Sequence, residues 1–167
     1  MSPREPVRKA VLILSPLLGA LLLWGLMILV LGTTQPFYVV KGNSMEPTLR
    51  DGDLVVVKKV EPSEVEPGDI IVFYKPGSKS EIIIHRVIQK AERRGEVYFR
   101  TKGDNNDSAD PWLVPEEDLI GVVVGGSRPL KLPLLGRMAS FIRSPPGLLL
   151  VALLYGLLAY QVLRGEG

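Results

Sequence analysis

Val11 to Leu31 is an unbroken stretch of 21 residues without a charged side chain. As a helix rising about 1.5 Å per residue, it is long enough to cross a hydrocarbon core of about 30 Å. A cleavable secretory leader has a shorter apolar region, about 7–15 residues, and a small-residue cleavage site, so this stretch reads as a retained anchor. Pro16 falls in its second turn and is expected to kink it only locally. Arg4, Arg8 and Lys9 stand just before it. The bias of basic residues toward the cytoplasmic side predicts a cytoplasmic N-terminus over residues 1–10, a cell-membrane location, and an extracytoplasmic position for the domain after the anchor.

A second apolar segment, Gly147 to Leu163, has 17 residues of which Gln161 alone is polar, the lower edge of a spanning helix. Pro145 and Pro146 stand where a helix would start. Arg164 would then be cytoplasmic, but Arg137 and Arg143 on the outer side run against the positive-inside bias. The first anchor usually sets orientation, so a second span over 147–163 is the expectation. A helix lying in the interface is the alternative. Residues 137–146 read as a linker or interfacial segment, and Leu132–Phe141 could lie along the membrane surface or form a short core segment.

Between these runs, Phe37 to Ser144 holds 16 Lys/Arg and 16 Asp/Glu. A neutral folded part argues against a nucleic-acid partner, which would call for a basic patch. Cysteine is absent, which excludes disulfides, a thiolate nucleophile and cysteine-ligated zinc. Short β-branched runs separated by Gly, Pro, Asn and Asp predict strands at Leu54–Val60, Asp69–Tyr74, Glu81–Ala91, Glu96–Lys102 and Leu119–Gly125. The fold class is therefore mainly β, a small antiparallel barrel or folded sheet over residues 37–136. Ile70–Val72 and Ile82–Ile84 are unbroken rather than alternating, which predicts strands covered on both faces.

Three features could carry chemistry. Lys41 to Asp53, KGNSMEPTLRDGD, turns polar just beyond the anchor, and Gly42, Asn43 and Pro47 place Ser44 on a shaped turn. Ser44 there is either a turn-closing hydroxyl or a nucleophile. His85 is the one histidine in the chain, on a strand face shared with Ile83 and Val87, with Ile82, Ile84 and Arg86 on the other. A lone histidine on an apolar face is commonly a satisfied core residue. A serine nucleophile nonetheless needs a base near neutral pH, and His85 is the only imidazole available.

The third feature is KGDNNDSADPW, Lys102–Trp112, with Asp104, Asp107 and Asp110. It can be read as a solvated turn. A calcium loop fails, because Ala109 replaces the required glycine and Pro115 occupies the final acidic position. The functional reading makes one acid the group that orients an imidazole. Pro111 favours an extended conformation at Asp110, which suits a fixed orienting role.

The set resembles the type I signal peptidases, in their archaeal and endoplasmic-reticulum (Sec11-like) branch. The likeness covers the first anchor and most of residues 37–136. It rests on GNSMEPTL around Ser44, GDLVVV at Gly52–Val57, GDIIVFY at Gly68–Tyr74, HRV at His85–Val87 and TKGDNN at Thr101–Asn106, with LIGVVVG at Leu119–Gly125 and LPLLG ending at Gly136. Bacterial members have a lysine base where His85 stands. The resemblance implies Ser44 as nucleophile, His85 as general base and Asp110 as orienting acid. The family commonly shows two adjacent acids at the end of this loop, and Ala109 departs from that pattern, so the acid lies between Asp110 and Asp104, with Asp104 shaping the site. Asp107 is read as solvated.

The implied reaction is acyl transfer, with the oxyanion held partly by the Ser44 N–H and no metal or cofactor required. Some bacterial relatives add a hydroxyl two residues before the nucleophile, where Gly42 has none. Implied partners are signal peptides of exported precursors, with the protein translocation channel or accessory subunits as further candidates. Two alternatives compete. A self-cleaving LexA-like peptidase is opposed by His85 and by the anchor. A membrane-anchored β-domain that binds exported chains or the channel without catalysis would make Ser44, His85 and Asp110 turn, core and loop residues.

Overall fold

The structure, a computed structural model, describes residues 5–133 and 135–164. Met1–Arg4 of the basic N-terminal segment and Leu134 of LPLLG lie outside the described residues. The chain divides into two compact units, one running from Leu31 to Arg137 and one formed by the segments before and after it.

Helix α1 spans Glu5–Leu31 and contains the apolar stretch and Pro16. Leu21, Leu22, Leu29 and Val30 are 66–80% exposed, as suits side chains facing lipid. Near the other end of the chain are α2, Leu135–Arg143, and α3, Pro145–Arg164. Val11–Leu31 and Pro145–Arg164 are both long and apolar enough to cross a membrane. The Tyr155 hydroxyl of α3 donates to the Ile13 carbonyl of α1.

The unit from Leu31 to Arg137 is an antiparallel sheet. Its strands are β1 (Phe37–Val39), β2 (Leu54–Lys58), β3 (Ile70–Tyr74), β4 (Ile82–Arg93), β5 (Glu96–Lys102), β6 (Val114–Pro115), β7 (Leu119–Val123) and β8 (Lys131–Leu132). They lie in the order β1-β2-β7-β3-β4-β5-β6, and β8 also pairs with β2. All five runs expected as strands are present. Three end differently: β2 stops at Lys58 and β7 at Val123, while β4 continues to Arg93. Beyond Val123 the chain turns back, with Leu130 N–H bonding Val124 O at 2.7 Å.

Strand β3 is the centre of the core. Ile70 and Val72 pack on one face with Met45, Leu49, Val55, Val57 and Val123. Ile71 and Phe73 pack on the other with Val65, Val87, Phe99, Val114 and Val122. The unbroken Ile70–Val72 is thus covered on both faces, every residue at 0% exposure. Ile82–Ile84 is not, for Ile82 is 42% exposed. The reason is pairing: β4 meets β3 from Ile82 to Arg86, but β5 joins its other side only from Arg86 onward. Among the described residues Ile82 to His85 therefore have a strand partner on one side only.

Candidate active site

The turn carrying Ser44 is held from within. Met45 and Leu49 are both buried in the core, and Leu49 N–H bonds Met45 O at 2.9 Å, closing a single helical turn between them. Gly42 has φ +82°, a conformation a Cβ would strain, and its N–H bonds Asp51 Oδ1 at 3.1 Å. Asp53 accepts from Arg50 N–H at 2.9 Å, and Lys131 Nζ reaches the Thr48 carbonyl. Buried apolar anchors below and carboxylate caps above leave Ser44 half-buried at the rim.

Strand β4 brings His85 to that rim. Its Nε2 lies 3.1 Å from Ser44 Oγ and its Nδ1 lies 2.8 Å from Asp110 Oδ2. A carboxylate can only accept, so the Nδ1 facing it carries the proton and Nε2 is left to accept from the Ser44 hydroxyl. The same Asp110 oxygen accepts from Thr101 Oγ1 at 2.6 Å, and Asp110 N–H bonds Thr101 O at 2.9 Å. His85, Asp110 and Thr101 are all buried, which shields these bonds from water.

Alternation along β4 sends Arg86 to the opposite face, where it meets Asp104. Arg86 Nε and Nη2 donate to the two Asp104 oxygens at 2.8 and 2.6 Å, and Nη1 donates to Gly68 O at 2.7 Å. Burial alone would raise the Asp104 carboxyl, but hydrogen bonds from Arg86 and the Thr48 side chain outweigh it and hold the group below its ordinary value. The bond to Asp104 likewise raises Arg86. The three acids of the loop thus separate: Asp110 touches His85, Asp104 touches Arg86, and Asp107 is exposed. Among the described residues no group of three His or acidic side chains is placed to hold a metal ion.

A cleft of about 490 Å³ opens beside Ser44 and His85. Tyr38, Val39, Lys41, Met45, Ile82 and Ile84 are among its lining residues. The free edge of β4 lines it, so a peptide in extended form could add there as a strand. Thr101, Arg86, Asn105 and Gly103 were not singled out from the sequence. Thr101–Asn106 and His85–Val87 stand in the resembling motifs, but nothing in their residue types tells which partner each side chain takes.

Residues 10–91 match the family model described as signal peptidase, peptidase S26. That span holds Ser44 and His85 and ends before the loop of Asp104 and Asp110. The signal peptidase complex catalytic subunit SEC11C of Homo sapiens is 37% identical over 99 residues, covering 59% of this chain and 51% of that protein. The chain thus spans about half the length of that relative. Catalytic subunits SEC11 of Candida tropicalis and Colletotrichum graminicola are 30% identical over 133 residues and 32% over 131. These matches cover 75% and 74% of this chain, and 79% and 76% of the fungal proteins.

Proposed function

The chain belongs to the signal peptidase family, peptidase S26, and on that premise we propose that it is a membrane-bound serine endopeptidase removing N-terminal signal peptides from exported precursors. The observation that carries this reading is the relay from Ser44 through His85 to Asp110, at 3.1 and 2.8 Å. A hydroxyl, an imidazole and a buried carboxylate in that order supply a nucleophile, its base and the group that orients the base.

In the proposed reaction Ser44 Oγ bonds to the carbonyl carbon before the scissile bond while its proton passes to His85 Nε2. The carbonyl electron pair moves onto oxygen, where the Ser44 N–H stabilises it. Collapse of this intermediate breaks the C–N bond, and His85 gives its proton to the departing amine. Water, deprotonated by His85, then attacks the acyl-enzyme and releases the signal peptide with Ser44 restored. Asp110 holds the imidazole and balances its charge when protonated. Asp104, paired with Arg86, is a shaping residue.

The proposed topology has residues 1–10 in the cytoplasm, α1 and α3 across the bilayer, and the β-unit over 37–136 outside as the peptidase domain. Residues 137–146, mostly in α2, form an interfacial segment. Leu135, Met138, Phe141 and Ile142 are 40–59% exposed and share one stripe, apart from Arg137, which supports that placement. Such an anchor keeps Ser44 near the surface where a signal peptide emerges from the apolar layer. Because the relatives are catalytic subunits of a complex, accessory subunits are proposed partners alongside the signal peptides, with the translocation channel as a further one.

The test is cleavage of a signal-bearing precursor by the purified chain in detergent or lipid, against Ser44→Ala and His85→Ala with folding checked for each. Cleavage by the wild type and its loss in both variants is the expected result. Cleavage that persists in Ser44→Ala would overturn the nucleophile. A folded wild type that cleaves nothing, alone or with accessory subunits, would leave the non-catalytic binding module as the better account.

A further inference from the structure

The loop from Gly103 to Asn106 touches the nucleophile turn at two successive carbonyls. Asn105 N–H donates to Ser44 O at 2.8 Å, and Asn105 Nδ2 donates to Asn43 O at 3.2 Å. Gly103 comes as close as a residue can, since a Cβ there would lie 2.5 Å from Ser44 O. The loop is fixed in turn by the bidentate Asp104–Arg86 pair and by the Asn106 N–H to Gly103 O bond of 3.0 Å.

A trans peptide directs its C=O and its N–H to opposite sides. Among the described peptide bonds only Glu46–Pro47 is cis, so the two units on either side of Ser44 are trans. The Asn43 carbonyl accepts from Glu46 N–H at 3.1 Å within the turn and from Asn105 Nδ2 on the loop side, and held so it turns the Ser44 N–H away from the loop. Drawing the Ser44 carbonyl there does the same for the Met45 N–H. Among the described hydrogen bonds neither N–H has a protein acceptor. Two donors on the nucleophile turn are thus left open and held in direction.

We infer that Asn105 is a positioning residue for the oxyanion: its side-chain amide, acting with the Glu46 N–H, holds the Asn43 carbonyl and so aims the Ser44 N–H at the oxygen that becomes negative when Ser44 attacks. The inference rests on Ser44 being the nucleophile. Any residue at 105 retains the backbone bond to Ser44 O; what asparagine adds is the Nδ2 donor. Gly42 offers no hydroxyl to share the charge, so backbone donors carry the stabilisation and their direction governs the rate. Aspartate at 105 matches the shape but only accepts, and would repel the Asn43 carbonyl. Alanine removes the contact without repulsion.

The experiment compares steady-state cleavage of a signal-bearing precursor by the full chain with Asn105→Asp, Asn105→Ala and, as a control on an exposed neighbour, Asp107→Asn. It adds binding of a peptide aldehyde, which Ser44 converts to a tetrahedral hemiacetal, and a thermal unfolding midpoint for each variant. For both Asn105 variants kcat falls about tenfold, short of the roughly 10²–10³ lost when an oxyanion donor is removed outright. KM and the pH midpoint of kcat/KM stay unchanged, aldehyde affinity falls by the same factor as kcat/KM, and the unfolding midpoint stays within a few degrees.

Wild-type kcat in Asn105→Asp would overturn the inference, as would a rise in KM at constant kcat. A loss of kcat with no loss of aldehyde affinity, or one matched by a collapse in unfolding temperature, would also overturn it. If the wild type itself does not cleave and Ser44 does not react with the aldehyde, the reading of the site fails first and takes this inference with it.

Discussion

Thr101 donates its hydroxyl hydrogen to Asp110 Oδ2 at 2.6 Å, the same oxygen that faces His85 Nδ1. With the backbone bond from Asp110 N–H to Thr101 O, one residue of β5 fixes both the position and the rotation of the carboxylate. Thr101→Val keeps the shape and the backbone bond and removes only the hydroxyl. A hydrogen bond to a charged group contributes about 1.5–3 kcal/mol, so the unfolding free energy should drop by that order. Cleavage should slow by about tenfold, because Asp110 gains freedom to rotate away from the imidazole. Urea unfolding and single-turnover cleavage check the two halves, and unchanged single-turnover rates would detach Thr101 from the proposed mechanism.

The two acids should part company when each is made neutral. Asp110→Asn removes the acceptor that fixes the His85 tautomer, and loss of this kind lowers kcat by about 10⁴-fold. Asp104→Asn leaves the relay untouched and weakens the tie to Arg86, so its kcat should fall by no more than about tenfold while stability suffers. Kinetics and unfolding measured on the same preparations decide it. A larger kcat loss in Asp104→Asn would transfer the orienting role to Asp104.

Acid should act on stability through Asp104. Its carboxyl is held below the ordinary value in the folded chain, so it binds a proton less readily folded than unfolded. That stabilisation is complete above the unfolded pKa, about 4, and is lost as pH falls through the lower folded value. Arg86 stays charged throughout and adds no slope of its own. The stability of the wild type should therefore decline more steeply below about pH 4 than that of Asp104→Asn. Parallel acid limbs in the two proteins would remove Asp104 from the account.

Gly103→Ala should damage the site more than its size suggests. The added methyl would meet Ser44 O at 2.5 Å and Asn106 Nδ2 at 2.8 Å, so the loop or the nucleophile turn must move. Overpacking of this kind costs about 1–3 kcal/mol. Cleavage should fall steeply while far-ultraviolet circular dichroism stays that of the wild type. An alanine variant with full activity would mean that the two segments can separate without consequence.

The sheet was legible wherever a strand ran for five or more residues. Strands β1, β6 and β8 are two or three residues long, too short for any period to register; Pro36 and Pro133 flank β1 and β8, and Pro115 ends β6. Ile70–Val72 and Ile82–Ile84 look alike in composition but differ in environment, because β3 has neighbours on both sides and the start of β4 has one. Ser44, His85 and Asp110, singled out on chemical type, meet within hydrogen-bond distance. Arg86, Thr101 and Asn105 did not stand out, because an arginine, a threonine and an asparagine in polar surroundings have many equally good partners. Which one they take is settled by the register between β4 and β5, where Arg86 lies opposite Lys102 and Val87 opposite Thr101.

The relay is also spread out in time. Ser44 precedes His85 by 41 residues, and His85 precedes Asp110 by 25. A chain emerging N-terminus first at roughly 5–20 residues per second presents Ser44 as an ordinary alcohol for several seconds before the acid arrives. For the first part of that interval the serine has no base, and for the rest the base has no orienting group. On the proposed mechanism a nascent chain therefore stays unarmed until β7, made after the Asp110 loop and lying between β2 and β3, has joined the two halves of the sheet.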